Sequence, residues 1–157
     1  MKLSKDFSLY EFTRSETADK LGIANNPTDE EIENYRFLCV EILQPIRDHY
    51  KVPVTISSGF RCDELNDAIP GSSATSQHRA KDGSAAADFT VQGVSVEEVF
   101  EFVRKSILPF DQLINEYGKW VHVSSYRSRR EALLASKKNG KPLYTLISTD
   151  LGERNEV

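Results

Sequence analysis

Gln112-Leu113-Ile114-Asn115-Glu116-Tyr117-Gly118-Lys119-Trp120-Val121-His122-Val123-Ser124 reads as two short strands around a turn at Tyr117-Gly118-Lys119. Successive strand residues point to opposite faces, so Trp120, His122 and Ser124 share one face and Val121 and Val123 the other. A histidine in the middle of an apolar strand has to be put to some use. The partner strand leaves one question open. A three-residue loop sets Glu116 opposite Trp120, on the face of His122, whereas a two-residue loop sends Glu116 to the other face.

Working outward, Ala86 to Val91 forms a second strand, with Asp88 set among Ala85, Ala86, Ala87 and Phe89. A carboxylate in such surroundings needs a partner, because an unpaired buried charge is costly. Pro53 to Ser58 gives a third strand, on which Val54 and Ile56 alternate with polar residues. Between them, residues 63–84 are rich in Gly, Ser, Asp and Ala and read as a long loop with a turn at Pro70-Gly71, a length that in a small domain points to function or disorder. After Tyr126 the pattern weakens; Tyr144 to Ser148 reads as a last edge strand.

Two helices complete the pattern. Thr28 and Glu31 make a capping box, Asp29 and Glu30 suit the positive helix end, and an apolar stripe runs from Ile32 through Leu38, Cys39, Ile42 and Ile46 to Tyr50. Pro45 removes a backbone donor inside that stretch and predicts a kink. Ser95 and Glu98 open the second helix, whose apolar face carries Val96, Val99, Phe100, Val103 and Ile107. The fold class expected is α+β: a small, mostly antiparallel sheet with helices on one side, in a single domain over residues 1–157.

Composition narrows the partners. With 20 basic and 24 acidic residues the net charge is −4, and no block of like charge stands out, which argues against nucleic acid or an anionic membrane as a partner. The cluster Arg127, Arg129, Arg130, Lys137 and Lys138 reads as a solvated face. Cys39 lies in the helical stripe and reads as a buried free thiol rather than half of a disulfide with Cys62. Met1 to Tyr10 lacks an apolar signal core, and no stretch reaches the length of a membrane span. The expectation is a product made in the cytoplasm without a signal peptide.

Of the three histidines, His49 sits at a helix end beside Asp48 and Tyr50 and reads as a surface residue. His78, in the long loop, and His122, in its strand, form with Asp88 a two-histidine, one-carboxylate set. Such a set suits catalytic zinc, which has three protein ligands and a fourth position for water. Spacing alone favours structural histidines over metal-bound ones.

The surrounding words go further. Ser57-Ser58-Gly59-Phe60-Arg61, Ser76-Gln77-His78, Gly83 to Asp88 and Trp120-Val121-His122-Val123-Ser124 follow one another in an order that closely resembles the M15 peptidases of the D-alanyl-D-alanine carboxypeptidase type. The short single-domain members of phages and prophages are the most similar. Phe7-Ser8-Leu9-Tyr10-Glu11-Phe12 and Leu43-Gln44-Pro45-Ile46-Arg47 look similar too, so the resemblance spans most of residues 7–125.

The resemblance implies a Hedgehog/DD-peptidase-like fold and a Zn2+ ion on His78, Asp88 and His122. It gives Arg61 the binding of a substrate carbonyl or carboxylate and Ser76 a place at the loop or the substrate. It implies a peptidoglycan stem peptide as substrate, cut beside a D-amino acid, and action at the cell wall after phage-mediated release or as a virion component, with phage tail or lysis proteins as possible partners. Two departures stand out. The step from His78 to Asp88 is ten residues, where the family usually has about seven. Lys119 occupies the position three before the last histidine at which several relatives carry an acid. Glu116 takes that role instead, at a spacing similar to the zinc-site glutamate of the Hedgehog signalling domain. The rival expectation is a non-catalytic, zinc-stabilised module that binds wall peptide or a tail protein.

Overall fold

A computed structural model describes residues 1–149. Short helices α1 (Leu9–Thr13) and α2 (Glu16–Leu21) precede α3 (Asp29–Leu38), a π-helical turn (Cys39–Leu43) and α4 (Gln44–Tyr50). Then come β1 (Val54–Ser58), α5 (Asp63–Ala68), a 3-10 turn (Gln77–Arg79), β2 (Ala86–Val91) and α6 (Val96–Lys105). The chain continues through β3 (Gln112–Glu116), β4 (Trp120–Ser124), β5 (Glu131–Lys138) and β6 (Lys141–Ile147). The strands form one sheet in the order β1-β2-β4-β3-β5-β6, antiparallel except for the parallel pair β3-β5. This is the α+β architecture read from the sequence.

Alternation along the strands divides the sheet into two faces. Val54, Ile56, Phe89, Val91, Leu113, Val121 and Val123 join a single apolar core with Tyr35, Leu38, Ile42 and Ile46 from the α3–α4 segment and Val99, Phe100 and Val103 from α6. The helices therefore cover one face. The opposite face carries Asp88, His122, Ile114 and Glu116.

The Thr28 capping box forms as read: Thr28 Oγ1 accepts from the Glu31 amide and the Glu31 carboxylate accepts from the Thr28 amide. Pro45 acts differently from a simple kink. Gln44 N–H donates to Cys39 O, five residues back, so the helix widens by one residue immediately before the proline. That extra residue takes up the distortion a ring without an N–H imposes on the preceding turn. Cys39 is buried, and both thiols are free.

Three sequence readings change. The stretch 63–84 is not all loop: it contains α5, opened by Asp63 and Glu64 in the first turn, and the 3-10 turn bearing His78. α6 stops at Lys105, because Ser106 Oγ donates to Val103 O and accepts from the Leu108 amide, leaving Ile107 exposed. Finally, the edge strand spans Lys141–Ile147 and pairs with β5, a strand the weak pattern after Tyr126 conceals.

Phe89 is fully buried on the helix side of β2, one residue from Asp88 on the other side. Phe89→Ala is expected to lower the unfolding free energy by about 3–5 kcal/mol, read from the urea midpoint at constant slope.

Candidate metal centre

β2 and β4 lie side by side in antiparallel register, with Asp88 directly opposite His122. His122 Nδ1 stands 2.9 Å from Asp88 Oδ1. His78 arrives from outside the sheet. Ser76 caps its 3-10 turn by accepting from the His78 amide, so Ser76 orients the loop, and Arg61 N–H donates to His78 O. The imidazole is fixed from behind: His78 Nδ1 lies 2.8 Å from Gly59 O. A carbonyl only accepts, so Nδ1 carries the hydrogen and Nε2 is left with a lone pair. That lone pair faces Asp88 Oδ1 at 3.5 Å.

The donor atoms of His78, Asp88 and His122 all lie within 4.8 Å of one another, and all three residues are buried. Burial acts to raise the Asp88 carboxyl, but His78 and His122 beside it outweigh that and hold it well below the usual carboxylate range. Burial lowers the pKa of His78 and so favours its neutral ring. An anionic carboxylate and a neutral imidazole are the forms a metal ion binds. Ligand atoms about 2.0–2.2 Å from a tetrahedral ion stand roughly 3.3–3.6 Å apart; here Asp88 Oδ1 lies 3.5 Å from His78 Nε2 and 2.9 Å from His122 Nδ1. The pair of facing lone pairs, Asp88 Oδ1 and His78 Nε2, has no proton between them and is resolved by a cation. The residues fit zinc.

The hairpin register answers the question left open by the sequence. Glu116 pairs with Trp120 and Ile114 with His122 across a three-residue loop in which Tyr117 and Gly118 have positive φ. Glu116 therefore shares the face of His122. It is half-buried; burial raises its pKa, His122 opposes that rise and Asp88 adds to it. Lys119 is exposed in the turn. The long step from His78 to Asp88 is taken up by a tight return in which Ala80, Asp82 and Gly83 all have positive φ and Ser84 Oγ donates to Lys81 O.

Arg61 sits beside the cluster. Its guanidinium donates to Ser58 Oγ and makes no ion pair among the described residues, and its buried Nε has no partner. It lines a cleft with Ser57 and Ser58, whereas Ser76 and His122 line a separate groove of about 890 Å³. His49 lies apart, stacked on Phe102 at the end of α4.

Sequence reasoning missed the residues that brace the site. Gly59 approaches α1 so closely that a Cβ would fall 2.6 Å from Phe12 Cα and 2.6 Å from Phe12 O. Asn25 bridges Thr13 O, Phe60 O and the Cys62 amide. Asp111, fully buried at the start of β3, accepts from Gln77 Nε2 at 2.7 Å and from the Arg129 guanidinium through both its oxygens. An acid beside apolar Phe110 was the available signal for Asp111, the same signal that marked Asp88. Of the basic cluster, Arg127, Arg129, Lys137 and Lys138 are exposed as read, Arg129 while paired with Asp111; Arg130 alone departs, half-buried, donating to the carbonyls of Leu108, Arg104 and Ser106 and covering the Phe110 ring.

Two outcomes are expected. Purified protein dialysed against zinc should carry one ion per chain by elemental analysis, and His122→Ala should carry none. Zinc at about 100 times its dissociation constant should stabilise the wild type by roughly 2.7 kcal/mol, a gain a chelator reverses. Gly59→Ala should destabilise by about 1–3 kcal/mol through the clash with Phe12 and weaken zinc binding by displacing the carbonyl that holds His78.

No curated protein and no solved structure matches the chain. A family model described as Peptidase M15 matches residues 5–124, a span that holds His78, Asp88, His122 and Glu116 on their shared face. That match covers well over half of the sequence, and the chain belongs to the peptidase M15 family.

Proposed function

We propose that this chain is a zinc peptidase that hydrolyses peptidoglycan stem peptides at a bond involving a D-amino acid, with Glu116 as its general base. The observation that carries the reading is the hairpin register, which sets a half-buried carboxylate one residue pair from His122 on the face that holds the metal cluster. Family membership supports metallopeptidase chemistry. His78, Asp88 and His122 would hold the zinc ion, which when bound supplies Lewis acidity toward the scissile carbonyl and acidifies the attacking water.

Glu116 accepts the water's proton and returns it to the leaving amine. Its raised pKa brings the carboxylate closer to the basicity this transfer requires than an ordinary glutamate. Arg61 is the substrate anchor: among the described residues its guanidinium has no carboxylate partner, and it offers paired donors to a carbonyl or carboxylate. Ser76 holds the His78 turn at the groove wall. A wall hydrolase acting in phage lysis or as part of a virion is the setting that the family resemblance favours.

Glu116→Gln is expected to lower kcat on purified peptidoglycan by about 10²–10⁴-fold while retaining one zinc per chain. Because Glu116 works as the base only when ionised, and burial raises its pKa, the acid limb of kcat should lie at higher pH than the ordinary glutamate range and be absent in the variant. One zinc per chain with no cleavage by the wild type would replace the peptidase by a zinc-stabilised wall-binding module.

A further inference from the structure

The face that bears the metal cluster does not end at the hairpin. Register places Trp120, Glu116, Ala135 and Tyr144 in one row across β4, β3, β5 and β6. The neighbouring row runs His122, Ile114, Leu133, Leu146. Both rows lie on the face opposite the helices, so β5 and β6 carry the site's floor onward, beyond the residues matched by the family.

This extension is apolar and open. Tyr144 is 49% exposed and Leu146 is 70% exposed, both on the last strand of the sheet. Between them and the cluster, Ile114 is buried and Leu133 half-buried. Ala135, between Glu116 and Tyr144 in the row, is buried beneath its neighbours. Burial raises the pKa of the Tyr144 phenol, and the charges of Glu116 and Tyr117 and a hydrogen bond with Tyr117 add to the rise. Open apolar side chains on an edge strand are an aggregation liability unless something covers them.

Distance selects what covers them. Strands lie about 4.8 Å apart, so Tyr144 stands roughly 10 Å from Glu116 and Leu146 roughly 14 Å from His122. An extended peptide covers about 3.3–3.6 Å per residue. A chain held at the metal therefore reaches this shelf three to four residues from its scissile bond.

We propose that Tyr144 and Leu146 form a subsite for an aliphatic side chain of the peptide substrate, three to four residues from the bond that is cut. The inference rests on the peptidase reading. It makes the enzyme selective for extended peptides over dipeptides. The apolar surface continuous with the catalytic row favours this occupant over a separate protein partner.

The test measures binding to the zinc-loaded full chain carrying Glu116→Gln, which blocks turnover. The probes are a stem pentapeptide, whose first alanine is the fourth residue from its D-Ala-D-Ala bond, labelled with fluorescein on the lysine at its third position, and, by competition, the dipeptide D-Ala-D-Ala. Adding Tyr144→Ala and Leu146→Ser is expected to raise the pentapeptide Kd about tenfold and leave the dipeptide within twofold. Leu146→Ser alone, at the more exposed position, should give about threefold with an unchanged melting temperature. An unchanged pentapeptide Kd, or an equal loss for both probes, overturns the subsite. Cleavage of peptidoglycan by the unsubstituted chain is scored separately, so loss of the subsite with cleavage intact leaves the peptidase reading standing.

Discussion

A carboxylate buried in a sheet must be neutralised or matched, and Asp88 sets that demand for this protein. It faces away from the core, directly after the small residues Ala86 and Ala87, where solvent reaches little of it. Removing a charge from water without compensation costs several kcal/mol. Two imidazoles answer it from different directions, one from the adjacent strand and one from a loop. Each has to arrive with its ring correctly turned, so the demand at Asp88 is passed on to β4 and to the loop before β2.

The strand-borne histidine arrives through sheet register alone. The loop-borne one requires scaffolding, and much of the remaining polar network supplies it. Gly59 O fixes the ring, Ser76 fixes the turn, and Arg61 N–H fixes the carbonyl of His78 itself. Asp111 ties the neighbouring Gln77 to the start of β3 and is balanced by Arg129. Tyr35 reaches out of the helical layer to donate to Ala86 O, on the strand that bears the aspartate. The apolar core sets the layers in place; this hydrogen-bonded frame sets three donor atoms within a few ångströms.

How far the sequence could be read follows from the range of the forces involved. Period-two alternation around Val54, Phe89 and Val121 is local, so three strands and their buried faces were legible. The cluster of His78, Asp88 and His122 was legible because two of the chain's three histidines and an aspartate among small and apolar residues stand in recognisable words. The register that brings Glu116 to the His122 face was not: it depends on one residue of loop length, set by positive φ at Tyr117 and Gly118 and by Asn115 Oδ1 accepting from the Gly118 amide. β5 also escaped, since its parallel pairing with β3 is long-range and its outer half is exposed on both faces, which blurs the alternation. The π-helical turn before Pro45 escaped because a proline announces a distortion without saying which kind.

Gly59 joins two parts of the molecule that share no chemistry. Its carbonyl holds a catalytic-type imidazole, while its missing side chain lets the backbone of Phe12 pass against it and Phe60 N–H bond Phe12 O. α1 thus acts as a backstop for the candidate metal centre, though it contributes no donor atom to it. Loosening that contact would free the His78 ring while leaving every residue of the cluster in the chain. The N-terminal helix is in this sense the mount of a site it never touches, because its packing reaches the His78 ring through a single carbonyl.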